Sequence, residues 1–495
     1  MTAEGASKRT AGVLLHPTSL PGRYGVGDLG DELIKFLDWA ALAGMRVWQV
    51  LPLNPPGYGY SPYGCVSSFA GNPLLISPER LIESQLLDRH DVPEFDDGEV
   101  DFDRVTENKT SLLRESLAYF DANATPDQRA ALKNFERDNR WLPDWALFAA
   151  LKDANGGQPW SAWPRPLMVR ERDALAEAQR ALADDIRFHK YVQWLFFTQW
   201  AAVRQAANAR EIRIMGDVPI YVAGDSADVW ANREVFQLDE NGEPTVVAGV
   251  PPDYFSKTGQ RWGNPLYRWD LMRERRFRWW VARIRAARRF ADILRLDHFR
   301  GFAAYWEVPA SEPTAMNGLW VPGPGKALFD AIRSALGDIP LVAEDLGFIT
   351  PEVHELRRAI GVPGMKILQF GFASKDSPHL PHNYDRCTVV YTGTHDNDTA
   401  RGWFENATEE ERALVREYLG CDADNVAWGL TRAAFASVAD SAIVPVQDIL
   451  NLGSEARMNL PGATRGNWSW RLRPGALTAE DAERMRRLAE ITGRA

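Results

Sequence analysis

Cysteine is scarce in this chain. Cys65, Cys387 and Cys421 are the only three in 495 residues, far apart and without metal-ligand spacing. That pattern excludes a disulfide framework and fits a reducing compartment. Positive charge is also short. Lys and Arg number 57 against 67 Asp and Glu, a formal net charge of −10, which argues against a nucleic-acid backbone or an anionic membrane as partner. No uncharged apolar run reaches the roughly 18 residues that a membrane span needs. The stretch Met1 to Thr10 is polar and lacks the apolar segment of a secretory signal, so a cytoplasmic location is expected. No glycine loop sits between a strand and a helix to cradle a phosphate. With no clustered Cys/His ligands either, neither a metal nor an organic cofactor is expected.

What is present is ordinary globular material, 45% hydrophobic and 25% charged, enough for a large core. Eight apolar runs closed by polar residues or glycine read as buried strands: Gly12 to His16, Arg46 to Leu51, Ile212 to Asp217, Asp292 to Asp297, Pro340 to Glu344, Met365 to Phe370, Thr388 to Thr392 and Ala442 to Gln447. Helices lie between several of them. Asp31 to Ala43 puts Leu33, Phe36, Leu37 and Ala40 on one face ahead of Gly44, and Thr350-Pro351 opens a helix that ends near Gly361. Strands alternating with helices predict an α/β fold, a (β/α)8 TIM barrel. We expect one catalytic unit over residues 1–495 without a separate C-terminal domain. Its insertions fall at about 52–211, after the second strand, and at 221–268, after the third. The first reads as mostly helical and the second as loop. The basic run Arg273 to Arg289 carries Trp and Phe at helical spacing and reads as a solvated helix face.

Three of the strand ends carry the chemistry. In Ile293 to Gly301, alternation places Arg295 and Asp297 on one face and Leu294 and Leu296 on the other. A permanent cation beside a carboxylate keeps it ionised, as a nucleophile requires. Ile339 to Gly347 ends in Glu344 and Asp345, and Thr388 to Asn397 ends in His395 and Asp396. Strands that end in such side chains mark the active face of a barrel, and paired carboxylates are the usual equipment for glycoside chemistry. Glu344 shares its face with Val342, a setting that raises the pKa of an acid.

The chain resembles the 4-alpha-glucanotransferases of the amylomaltase or disproportionating type, relatives of the α-amylase clan. The resemblance rests on HPTSLPG at His16 to Gly22, SPYGCVSSFAGNP at Ser61 to Pro73, and GDVPIYVAGDSADVW at Gly216 to Trp230. It continues through GVPPDYFSKTGQRWGNPLY at Gly249 to Tyr267, LRLDHFRGF at Leu294 to Phe302, AEDLG at Ala343 to Gly347, THDN at Thr394 to Asn397 and GNWSWR at Gly466 to Arg471. It implies that Asp297 is the nucleophile, Glu344 the general acid/base and Asp396 the carboxylate that holds and distorts the reacting sugar. It further implies sugar contacts from Tyr63, Asp217, Arg295 and His395, acceptor-side cover from Tyr254 and Trp262, a contact from Asn459, and a secondary glucan groove that includes Tyr58. The partners it implies are α-1,4-glucans. Two alternatives stay open on residue chemistry alone: a hydrolase of the same clan, and an inactive glucan-binding barrel.

Overall fold

The computed structural model describes residues 9–88, 95–252, 256–463 and 466–495. All eight expected runs become parallel strands of one sheet. In chain order they are β1 (Thr10–Leu14), β2 (Val47–Gln49), β3 (Arg213–Pro219), β6 (Ile293–Asp297), β9 (Leu341–Ala343), β10 (Gly364–Ile367), β11 (Thr388–Tyr391) and β12 (Ser441–Pro445). The sheet order β10-β11-β12-β1-β2-β3-β6-β9 nearly closes on itself as a (β/α)8 barrel. The ladder joining β1 to β12 pairs Thr10 with Ser441 through Leu14 with Pro445. Between β9 and β10 the lacing is thinner: the Ala343 N–H donates to the Pro363 carbonyl at 2.9 Å. The Asp345 carboxylate adds a side-chain rung, accepting from the Met365 N–H at 2.7 Å.

Alternation along the strands separates two cores. Leu14, Val47, Met215, Ile293, Val342, Met365, Val389 and Ile443, one from each strand, fill the barrel interior with apolar volume. Leu294 and Leu296 point the other way, into the larger core under the helices. The interior below the site is therefore a packed plug, and the polar side chains of the site gather toward the C-terminal strand ends.

The predicted helices form close to their expected bounds, at Asp31–Leu42 and Pro351–Ile360, the latter stopped by Gly361 in the left-handed region. Thr350 occupies the N-cap position without donating or accepting a cap bond through its side chain. The segment between β2 and β3 is mostly helical, and its longest helix is Ala183–Ala209.

Two expectations need correction. The segment 221–268 is not only loop: it contributes β4 (Val246–Val250) and β5 (Gln260–Pro265) to a four-stranded antiparallel sheet with β7 (Ala304–Pro309) and β8 (Leu319–Pro322), in the order β5-β4-β7-β8. These strands are short and partly exposed, and the pairing that joins β4 to β7 reaches a later segment, so local pattern does not announce the sheet. The basic helix Arg278–Phe290 is also not simply solvated. Its Arg283 is 3% exposed and donates to the Pro219 and Ile220 carbonyls at 2.6 and 3.0 Å, bracing the end of β3 from outside.

Arg494 braces the opposite side in a similar way. Fully buried, it donates to the carbonyls of Phe435, Ala439, Ser437 and Thr10 at 2.8 to 3.2 Å, tying the β1–β12 junction to the helix before it. Hydrogen bonds to a charged group contribute more than neutral ones, and orphaned carbonyls cost more still. Arg494→Ala should therefore lower stability by about 3 kcal/mol, read as a fall of several degrees in Tm. An unchanged Tm would show the clasp to be idle.

Candidate active site

The site is built at the C-terminal ends of β3, β6, β9 and β11. Asp217 and Arg295 are direct neighbours in the β3–β6 register. The Arg295 Nη1 donates to Asp217 Oδ2 at 2.6 Å and to Asp297 Oδ1 at 2.8 Å. Tyr63, from the loop after β2, donates its hydroxyl to the same Asp217 oxygen at 2.8 Å. Arg295 and Asp217 are buried, while the Asp297 side chain keeps 28% of its surface exposed. One guanidinium thus anchors a buried acid on one strand and presents a reachable acid on its own. Burial works against the charge on Arg295, but Asp217 and Asp297 outweigh it and hold its pKa well above the usual value.

Glu344 follows β9 and faces the same space. Its Oε2 accepts the His298 N–H at 2.7 Å and its Oε1 accepts the Leu346 N–H at 3.1 Å. His298 turns its amide that way by adopting a left-handed conformation, φ 50° and ψ 50°, unusual for a residue with a side chain. Burial pushes the Glu344 carboxyl well above its ordinary range, and the nearby Asp297 adds to this while Arg295 and the His298 N–H oppose it. Asp297 and Glu344 thus have unlike surroundings. The first bonds to a fixed cation, whereas the second is burdened with desolvation.

The third acid stands on the loop after β11. Asp448 holds that loop at both ends, accepting from the Thr392 hydroxyl at 2.5 Å and from the Ala400 N–H at 2.7 Å. Asp396 Oδ1 accepts from the Asn459 amide at 2.6 Å, and its Oδ2 lies 3.3 Å from His395 Nε2. Burial would raise this carboxyl, but His395, Asn459 and Arg295 together hold it well below the usual carboxylate range. The His395 ring stacks on Tyr63 with centroids 5.0 Å apart and lies 6.0 Å from Trp468.

On the other flank, Trp262 of β5 sets its ring edge-on to His298 at 4.7 Å and lies 6.3 Å from Tyr221. Burial pushes His298 down to about 4, so the imidazole in this aromatic wall is neutral. Of the residues singled out from sequence, Tyr63, Asp217, Arg295, Asp297, Glu344, His395, Asp396 and Asn459 form this connected network, and Trp262 borders it. Tyr58 stands apart, 92% exposed in the loop after β2. Tyr254 lies outside the described residues. Among the described residues no group of three or more His, Cys, Asp and Glu side chains is arranged to hold a metal ion, and no helix is long and apolar enough to cross a membrane.

A model of the 4-alpha-glucanotransferase family matches residues 15–478. The chain belongs to that family. A 4-alpha-glucanotransferase of Thermus thermophilus is 53% identical over 496 residues, covering 98% of this chain and 99% of the relative. One from Synechocystis sp. is 49% identical, covering 98% of each. Among solved structures, the amylomaltase from Streptococcus agalactiae in complex with acarbose superposes with a TM-score of 0.95 at 37% identity, covering 99% of this chain and all of that one.

Within this 4-alpha-glucanotransferase fold, the site also includes His298, Trp468, Arg457 and Asp448, which local sequence pattern does not single out. His298 and Trp468 sat inside quoted motifs, so a signal existed without a reason attached. Arg457 donates to the Asp396 carbonyl at 2.7 Å, and Asp448 joins the Thr392 hydroxyl to the Ala400 N–H; contacts between such distant segments leave no mark in sequence.

Proposed function

We propose that the protein transfers segments of α-1,4-glucans by a retaining, two-step route, and acts in the cytoplasm as one catalytic unit. The observation that carries this reading is the contrast between Asp297, bonded to a buried guanidinium, and Glu344, whose carboxyl burial pushes well above its ordinary range. That is the division of labour between nucleophile and acid that retention needs. The Asp297 carboxylate attacks the anomeric carbon as the bond to the glycosidic oxygen breaks. Glu344 gives that oxygen its proton, leaving a glucosyl ester on Asp297. Glu344, now ionised, takes the proton of an incoming glucan 4-hydroxyl, whose oxygen displaces Asp297 and restores the α-linkage. The two carboxyl groups should then sit about 5 to 5.5 Å apart when substrate is bound. Asp396, fixed in its charged form by His395 and Asn459, grips sugar hydroxyls, while Tyr63 offers a flat apolar face with a hydroxyl at its edge. Both metal and organic cofactors are dispensable in this scheme.

Maltotriose tests the reading directly. Incubation should give free glucose with a ladder of longer oligomers on a thin-layer plate. Shortening alone would mean a hydrolase, and an unchanged substrate would mean a binding protein.

Transfer in place of hydrolysis requires that water be kept from the ester. Trp262, 39% exposed at the rim beside His298, is placed to cover it. Trp262→Ala should raise hydrolysis relative to transfer several-fold, measured as reducing ends formed per glucose released. A protein that lost thermal stability but kept the ratio would assign Trp262 to packing alone.

A further inference from the structure

Phe348 is the oddest side chain on the surface. It is 66% exposed, although it follows β9 closely and belongs to a tethered segment. Its carbonyl accepts from Arg300 Nη1 at 2.6 Å. The same guanidinium lies 3.7 Å from the centroid of the Trp320 ring. Trp320 and Phe348 are nearly parallel, 21° between planes, with centroids 6.4 Å apart. Behind them Trp306, cross-strand neighbour of Trp320, meets it edge-on at 5.2 Å. Arg300 itself is buried, 5% exposed, so the pair stands on a fixed base. Phe348 is therefore an exposed ring held rigid beside a half-buried Trp320 that carries the Arg300 guanidinium over its own ring.

Position says what covers them. Arg300 lies three residues beyond Asp297, and Phe348 four beyond Glu344. An acid that protonates the leaving oxygen must border the leaving chain, so the segment after Glu344 flanks the side where that chain departs and the acceptor enters. The apolar C–H face of a pyranose suits an aromatic ring, and a neutral polymer needs no charge from the surface. Resting on the functional reading above, we propose that Trp320 and Phe348 form a remote platform for the α-1,4-glucan chain that leaves or enters on the Glu344 side, several sugar units from the bond that reacts.

Such a platform selects for chain length. For Phe348→Ala, the ratio of kcat/KM for maltoheptaose to that for maltotriose should fall about ten-fold, the equivalent of one lost stacking contact. The change should be in KM rather than kcat. Phe348→Tyr, which keeps the ring, should retain the wild-type ratio. Trp320→Leu should act in the same direction as Phe348→Ala. An unchanged ratio in Phe348→Ala, or an equal loss on both substrates, overturns the proposal. So does a wild-type dimer that Phe348→Ala converts to monomer in sedimentation, since the face would then belong to a second copy of the chain. Should the wild type fail to disproportionate any maltooligosaccharide, the functional reading falls separately. The platform is then decided by retardation in amylose-containing gels. Slower migration of wild type than of Phe348→Ala supports it, and equal migration removes it.

Discussion

Asp297→Ala should abolish transfer, by roughly 10⁴- to 10⁶-fold, because residues that act as one mechanistic unit lose nearly everything when any one is removed. The fold should survive. Arg295 would still pair with Asp217 at the centre of the β3–β6 ladder, so no buried charge is orphaned. A circular dichroism spectrum and a Tm close to wild type, together with vanished activity, are the expected pair of results. A slow fluorinated maltosyl donor should label the wild-type protein at Asp297, found by peptide mass mapping. Label on Glu344 instead would reverse the roles, and full activity in purified Asp297→Ala would end the nucleophile assignment.

Glu344→Gln should reduce transfer from natural glucans by about 10² to 10⁴-fold, the usual worth of a positioned acid or base. A maltosyl fluoride, whose leaving group needs no proton, should still form the glucosyl ester in this variant. The same substitution should stabilise the protein in a pH-dependent way. Glu344 has its pKa raised on folding, so its folded-state advantage is complete below the unfolded value of about 4.3. Above that value the unfolded chain ionises freely while the folded chain resists, and wild-type stability declines until the folded pKa is passed. Gln keeps the neutral form at every pH. The Tm difference between Glu344→Gln and wild type should be near zero at pH 4 and positive at pH 7. A difference that is flat with pH would mean the carboxyl is not strained by its surroundings.

The barrel was legible because its eight strands are buried on both faces and write themselves as continuous apolar runs. The antiparallel sheet β5-β4-β7-β8 was not, since its central pairing joins β4 (Val246–Val250) to β7 (Ala304–Pro309) across more than 50 residues of chain. The site divides along the same line. Alternation within β6 put Arg295 and Asp297 on one face, and the ion pair followed from it. The second partner of Arg295 depends on the register between β3 and β6, which no local pattern encodes; Asp217 came from motif resemblance only. The pKa rise of Glu344 was foreseen from Val342 beside it, yet the two backbone amides that hold the carboxylate depend on the left-handed turn at His298. Histidine enters the left-handed region more readily than most side chains, but its identity does not fix that conformation at this position.

The thin lacing between β9 and β10 has a mechanical meaning. Asp297, the proposed nucleophile, stands on β6, laced to β3 by five register pairs, whereas Glu344, the proposed acid, stands beside the joint where a backbone bond and the Asp345 side chain close the ring. The wall is stiff under one partner and compliant under the other. In hydrogen exchange the Ala343 and Met365 amides should lose protection sooner than those of Leu294 and Leu296. Compliance there would let the acid's side of the barrel yield as a long polymer threads in and out, while Asp297 holds the ester still.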